Sequence, residues 1–258
     1  METAGRATLS QQPEIIELFQ LLGKSGMTEE FQKVNFLVEY LETMEQQFGQ
    51  VLENLEKMNT QLMQIENRGA YTAVSRMTDG VGDKMHEIGN QLILVKNHFI
   101  QFAKDTKKIF QEKGKDALRN AVTMMKISSI LFALEKSFHS GVECMDKNAK
   151  KVQTISNEFH AIGGHIGNIG RTLIGKERKD SVKEKADKGV LTKVQKIFFI
   201  CGNIFSNMEK QTKGMAKQVE QFRNSGEKKK SVKEELRRIK SEKSEKSAML
   251  PTIQDKAR

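Results

Sequence analysis

The chain has 258 residues, 29% of them charged and 37% hydrophobic, with two tyrosines, no tryptophan and a formal net charge of +10. That length suffices for one or two compact domains, but the thin aromatic supply fits elongated helical proteins better than compact enzymes. Pro13 and Pro251 are the only prolines, and the proline-free interval between them argues against a turn-rich fold and for long helices.

The opening stretch, "METAGRATLSQQPEIIELF", has no basic segment followed by an apolar run, so it does not read as a secretory signal. Apolar-rich uncharged runs such as Ile197 to Met208 are too short to span a bilayer. No transmembrane segment and a cytoplasmic address are the expectation. Within residues 1–27, Pro13 followed by "EIIELFQLL" predicts a short helix with proline in its first turn, stopped by "GKSG" at Gly23 to Gly26.

Thr28 then offers an N-cap, with Glu29 and Glu30 in the favourable first turn of a helix predicted over 28–67. Val34, Leu41, Phe48, Leu55 and Leu62 occupy one heptad position there, and Leu37, Met44, Val51, Met58 and Ile65 the other. Five uninterrupted heptads keep one narrow apolar seam along a rod of roughly 60 Å. The seam needs a partner helix, and two readings stand: a core-facing helix of a bundle, or an intermolecular coiled coil with a second copy or another coiled-coil protein.

Residues 68–175 read as long amphipathic helices. Val74, Met77, Val81, Met85, Ile88, Leu92, Val95, Phe99, Phe102 and Ile109 keep three-four spacing up to a break at Gly114. A further stripe runs from Leu118 through Leu131, Leu134 and Phe138, and on from Val142 to Phe159, Ile162, Ile166, Ile169 and Leu173. Residues 176–189 are densely charged without apolar periodicity and predict a linker. A last helix is predicted over 190–223, carried by Val194, Ile197, Cys201, Ile204, Met208, Met215, Val219 and Phe222.

The tail, 224–258, carries eleven Lys and Arg against six Asp and Glu, so half of the net positive charge lies in it. Its Lys/Glu/Ser mixture reads as a solvated, weakly helical or disordered end, and a disordered tail is the expectation. The rival reading gives Lys228, Lys229, Lys230, Lys233, Arg237, Arg238 and Lys240 weak, sequence-independent contact with nucleic acid or anionic lipid, with no aromatic among them to read bases.

The glycine-rich stretch from His160 to Lys176 raises the question of an enzyme. Gly170 to Lys176 fits GxxxxGK, seven of the eight positions of a phosphate-binding loop, but Glu177 stands where Ser or Thr would hold magnesium. Such a loop must follow a buried strand, and a helical pattern lies upstream instead. At 100° per residue Gly163, Gly167 and Gly170 line one flank of a helix, where they predict close approach of another backbone, and Gly175 ends it. His160 and His165 are five apart and diverge on a helix, unlike a zinc-binding pair. Cys144 and Cys201 are isolated thiols in apolar-periodic stretches and read as reduced packing residues. No catalytic, cofactor-binding or metal-ligating residue is assigned.

Three segments in order, "IIELFQLLGKSGMTEEF", "FLVEYLETMEQQFGQVLENLEKMNTQL" and "HAIGGHIGNIGRTLIGKE", resemble a family of uncharacterised helical proteins, a domain of unknown function from gut Firmicutes often carried on mobile elements. The likeness covers most of Glu14 to Phe222. It implies a bacterial cytoplasmic protein and supplies no activity or site residue. The expectation is an all-α, elongated antiparallel bundle with one long coiled-coil-like helix and a disordered basic tail. Its function is expected to be that of a non-enzymatic scaffold or interaction protein.

Overall fold

The computed structural model describes residues 8–66, 68–123, 127–174, 176–177 and 189–248. Every regular element among them is helical. A 3-10 turn at Leu9–Gln11 precedes α1 (Pro13–Lys24), α2 (Thr28–Leu62), α3 (Arg68–Thr123), α4 (Ile127–Leu173) and α5 (Val190–Ala248). The chain forms two units, Met1–Ala216 and Lys217–Arg258. The second is, over its described residues, the last part of α5.

The helix expected to stop at residue 223 runs on to Ala248, where a disordered segment was expected from 224. The sequence tolerates this. Between Lys217 and Ala248 it has no proline and one glycine, and carboxylates precede cations at helical spacing, as in Glu234 with Arg238 and Glu242 with Lys246. Residues 249–258 lie outside the described residues.

Pro13 opens α1, where its missing N–H costs nothing. Gly26, at φ 63°, closes the helix. The Met27 N–H reaches the Leu22 carbonyl and the Gly26 N–H that of Gly23, both at 3.0 Å, the paired bonds of a glycine-terminated helix. This tie also settles where α2 begins. Met27, buried and held back to Leu22, takes the capping position, and Thr28 becomes the first helical residue rather than the cap. α2 ends at Leu62, short of the expected 67, so Ile65 lies in the following turn with its N–H on the Leu62 carbonyl.

Unit 1 is an antiparallel bundle in which α2, α3, α4 and α5 alternate in direction, with α1 packed on α2 and α3. Lys96 bridges to Glu45 at 2.9 Å, Lys104 to Glu14 at 3.2 Å and Lys107 to Glu17 at 2.6 Å. Arg119 meets the buried Glu30 at 2.9 Å. α3 is broken by a kink at Gly114, whose φ 76° and ψ −166° are non-helical and open to glycine. No bend interrupts α4 at Ser140-Gly141.

The core face of α5 differs from the expected one. Val194, Phe198, Cys201, Phe205, Met208, Thr212 and Met215 are buried at strict four-three spacing, whereas Ile197 and Ile204 lie half-buried beside that stripe. Phe205 centres the bundle, 6.5 Å from the rings of both Phe48 on α2 and Phe138 on α4. Three of its ring carbons lie 2.9–3.0 Å from where a β-carbon on Gly141 would stand. Glycine at 141 is what lets the ring in. Gly89 admits Phe48 in the same way, a β-carbon there meeting its ring at 3.3 Å.

A buried hydroxyl–hydroxyl bond crosses the bundle. Tyr40 Oη and Thr212 Oγ1 are 2.7 Å apart, and Thr212 spends its single hydroxyl proton on the Met208 carbonyl at 2.6 Å. Tyr40 is therefore the donor to Thr212. Burial pushes the Tyr40 hydroxyl up to about 12 from 10.0, and the Cys201 thiol up to about 12 from 9.0.

Candidate interaction surface

The heptad seam of α2 is consumed inside the chain. Val34, Leu37, Leu41, Met44, Val51, Met58 and Leu62 are buried, and Phe48 and Leu55 are half-buried. Its partners are the other helices of the same bundle.

Cross-helix contacts fix how the helices align along the bundle. Cys201 lies 3.9 Å from the Val51 carbonyl, so the last residue of α2, Leu62, and the first of α5, Val190, each eleven positions on, stand at one level. Gly202 sits against Met145, which brings that level to about Asn157 of α4. Met77 and Gly80 of α3 share a groove with Cys144 and Asn148, which sets Arg68, the start of α3, at the same level again. Three helices begin or end there. α4 alone continues to Leu173, an arm of roughly 24 Å at 1.5 Å per residue.

The arm keeps the amphipathic pattern of the helix it extends, with no other helix among the described residues reaching its level. Among the described residues Ser156 is the last buried one of α4; Ile162 is 52% exposed, Ile166 64%, Ile169 61% and Leu173 82%. Ile174, in the turn just after, is 67% exposed. Next to these side chains the arm carries glycines. A β-carbon on Gly164, Gly167 or Gly170 would meet nothing within 4 Å, so among the described residues no other backbone makes the close approach that the spacing predicts. The side-chain surroundings of Gly163 lie outside the described residues. Each helical glycine costs up to ~1 kcal/mol relative to alanine, and helices of this length draw most of their stability from packing.

The same end of the bundle exposes two more apolar groups, Met63 at 81% and Tyr71 at 40%. The segment that follows the arm, 176–189, offers only Val182, Val190's predecessor Gly189 and Ala186 as uncharged non-polar residues, too little to cover the stripe. That was the signal available in the sequence: a stripe with no apolar segment of matching length opposite it.

The nucleotide-loop pattern falls on the end of α4. Gly170 is helical, and the Lys176 N–H reaches back to the Arg171 carbonyl at 2.8 Å, the bond that closes a glycine-terminated helix, while Gly175 itself is outside the described residues. No strand precedes it. His160 and His165 both lie on the arm, and among the described residues no group of three potential metal ligands forms. A groove of about 400 Å3 between α3 and α4 is lined by Arg76, Lys147, Lys151, Asn148 and Cys144 among others. Burial pushes the Cys144 thiol up, outweighing the lowering by Lys84, so it is not primed as a nucleophile. Lys228, Lys229, Lys230, Lys233, Arg237, Arg238 and Lys240 lie on the helical second unit, and their side chains are outside the described ones. Among the described residues no helix is long and apolar enough to cross a membrane.

A family model described as a family of unknown function (DUF6674) matches residues 11–257. No curated protein and no solved structure matches the chain.

Proposed function

The chain belongs to the family of unknown function DUF6674, and from its geometry we propose that it is a non-enzymatic helical scaffold, binding a protein partner through the arm of α4. The observation that carries this reading is the row of exposed side chains Ile162, Ile166, Ile169 and Leu173 beyond the end of the bundle. Contiguous exposed apolar faces of this kind mark interaction sites, because their burial against a partner is the favourable term in association. The partner is a second copy or another helical protein, and the setting is that of a bacterial, cytoplasmic accessory of a mobile element.

A pull-down with the immobilised chain tests it. Nuclease-resistant capture of a protein partner, lost in the Ile162→Asp, Ile166→Asp double variant, is the expected result; capture unchanged by that variant refutes it. A phosphate-loop enzyme would instead bind nucleotide and lose it on Lys176→Ala, and no such binding is expected.

A second reading concerns the basic end. With α5 helical through Ala248, Lys230, Lys233, Arg237 and Lys240 recur at three-four-three spacing, which suits weak, sequence-independent contact with a polyanion. Removing residues 224–258 should then abolish low-salt retention on a polyanionic matrix.

A further inference from the structure

We propose that the arm of α4 is a self-association element, pairing antiparallel with the arm of a second copy. The inference rests on the reading of the arm as an interaction face and names its partner.

Charge selects the occupant. From Phe159 to Gly170 the arm holds no Lys, Arg, Asp or Glu, with Glu158 at one end and Arg171, Lys176 and Glu177, a net +1, at the other. An antiparallel copy brings the acidic end of one arm to the basic end of the other, whereas a parallel copy sets like against like. The middle has no lysine or arginine to hold an anionic membrane surface, which a lipid-binding amphipathic helix needs on its polar face.

Shape selects the same register. When the two arms overlap fully, the tip of each, Leu173, reaches the level of residue 156 on its partner. Ile162 is then level with Gly167, and Ile166 with Gly163, so that large side chains stand opposite glycines, the pattern that lets two helix backbones approach. At that overlap each tip also arrives at the bundle end of the other copy, where Met63 and Tyr71 are exposed. One two-fold operation thereby covers the stripe, fills the glycine flank and buries both outlying apolar groups.

The test is the mass of the full chain by light scattering from low to high micromolar concentration. A dimer is expected, reduced to half its mass by Ile166→Asp and by Gly167→Leu. Ile166 is 64% exposed and a β-carbon on Gly167 would meet nothing within 4 Å among the described residues, so the urea midpoint of the monomeric variants should match that of the wild-type chain at dilutions where it too is monomeric. Spin labels in a Cys144→Ala background then distinguish the orientation. Labels at His165→Cys, near the dyad, should lie close together, while labels at Thr172→Cys should be about 20 Å further apart along the axis. Short distances at both positions overturn the antiparallel pairing. A dimer that survives both variants overturns the proposal. So does a monomer that binds vesicles of phosphatidylcholine and phosphatidylglycerol. A monomer that captures a different protein in an Ile166-dependent way overturns the second copy while leaving the interaction face standing; a monomer that captures nothing overturns both.

Discussion

Replacing Gly141 by alanine sets two effects of known size against each other. In an exposed helix interior the change gains up to ~1 kcal/mol, because alanine loses less backbone entropy. At 141 the new methyl meets Cγ, Cδ1 and Cδ2 of Phe205 at 2.9–3.0 Å, where real β-carbons do not go. The obstacle is the near edge of a fully buried ring wedged between Phe48 and Phe138, not the free end of a flexible chain. Overpacking of a tight core costs typically ~1–3 kcal/mol, so after the propensity gain a net loss of up to about 2 kcal/mol is expected. Urea unfolding followed by circular dichroism measures it, with Gly49→Ala and Gly214→Ala as controls, since a β-carbon at either meets nothing within 4 Å. The controls should be neutral or stabilising. Combining Gly141→Ala with Phe205→Leu should cost less than the sum of the single changes, because the smaller side chain leaves room for the methyl. If Gly141→Ala stabilises as the controls do, the close approach of Phe205 is not what glycine is there for.

Gly114→Ala, at φ 76° with open space around the β-carbon, should cost about 1–3 kcal/mol through backbone strain alone, read as a lower urea midpoint. Tyr40→Phe removes the donor to Thr212 inside the bundle and should cost on the order of 1 kcal/mol in the same assay. Burial raises both Tyr40, from 10.0 to about 12, and Cys201, from 9.0 to about 12. Their contribution is therefore complete below pH 9 and is lost as pH rises toward 12, because the unfolded chain releases these protons first. The urea midpoint should fall between pH 9 and 11 more steeply in the wild-type chain than in Tyr40→Phe, Cys201→Ala. Phe48→Asp should lower helicity and midpoint together; loss of oligomer mass with an unchanged midpoint would return the α2 seam to an intermolecular role.

The helices of this protein were legible because burial in a helical bundle demands a stripe, and a stripe shows in spacing. Val34 to Leu62 and Val74 to Phe99 are such stripes, and both face the core. Which of two adjacent apolar positions faces inward was less legible. In "KIFFICGNIF" isoleucines and phenylalanines alternate so closely that two phases fit, and Phe198 and Phe205 take the core because Gly141 leaves a ring-sized space opposite Phe205. That space belongs to another helix, so no local pattern announces it. The glycines at 163, 167 and 170 posed the opposite problem. Their spacing speaks for a close neighbour, yet it does not say whether that neighbour lies in the same chain. The answer depended on where α2 ends and α3 and α5 begin, and helix ends are set by caps and turns such as Met27 and Gly26 that a periodicity does not contain.

The ring of Phe205 also sets a clock. Its partner Phe48, and the Tyr40 hydroxyl that finds Thr212, are made more than 150 residues earlier in synthesis. At about 5–20 residues per second, α2 leaves the ribosome on the order of 10–30 s before α5 arrives to complete the bundle. During that interval α2, α3 and α4 can form their shared contacts, but the face meant for α5 stays wet. Val51, Phe48 and Tyr40 on one helix and Phe138 and Met145 on another then form an open apolar trough. A nascent chain in that state is a natural client for a holding chaperone, and a truncated product ending before Val190 would remain one.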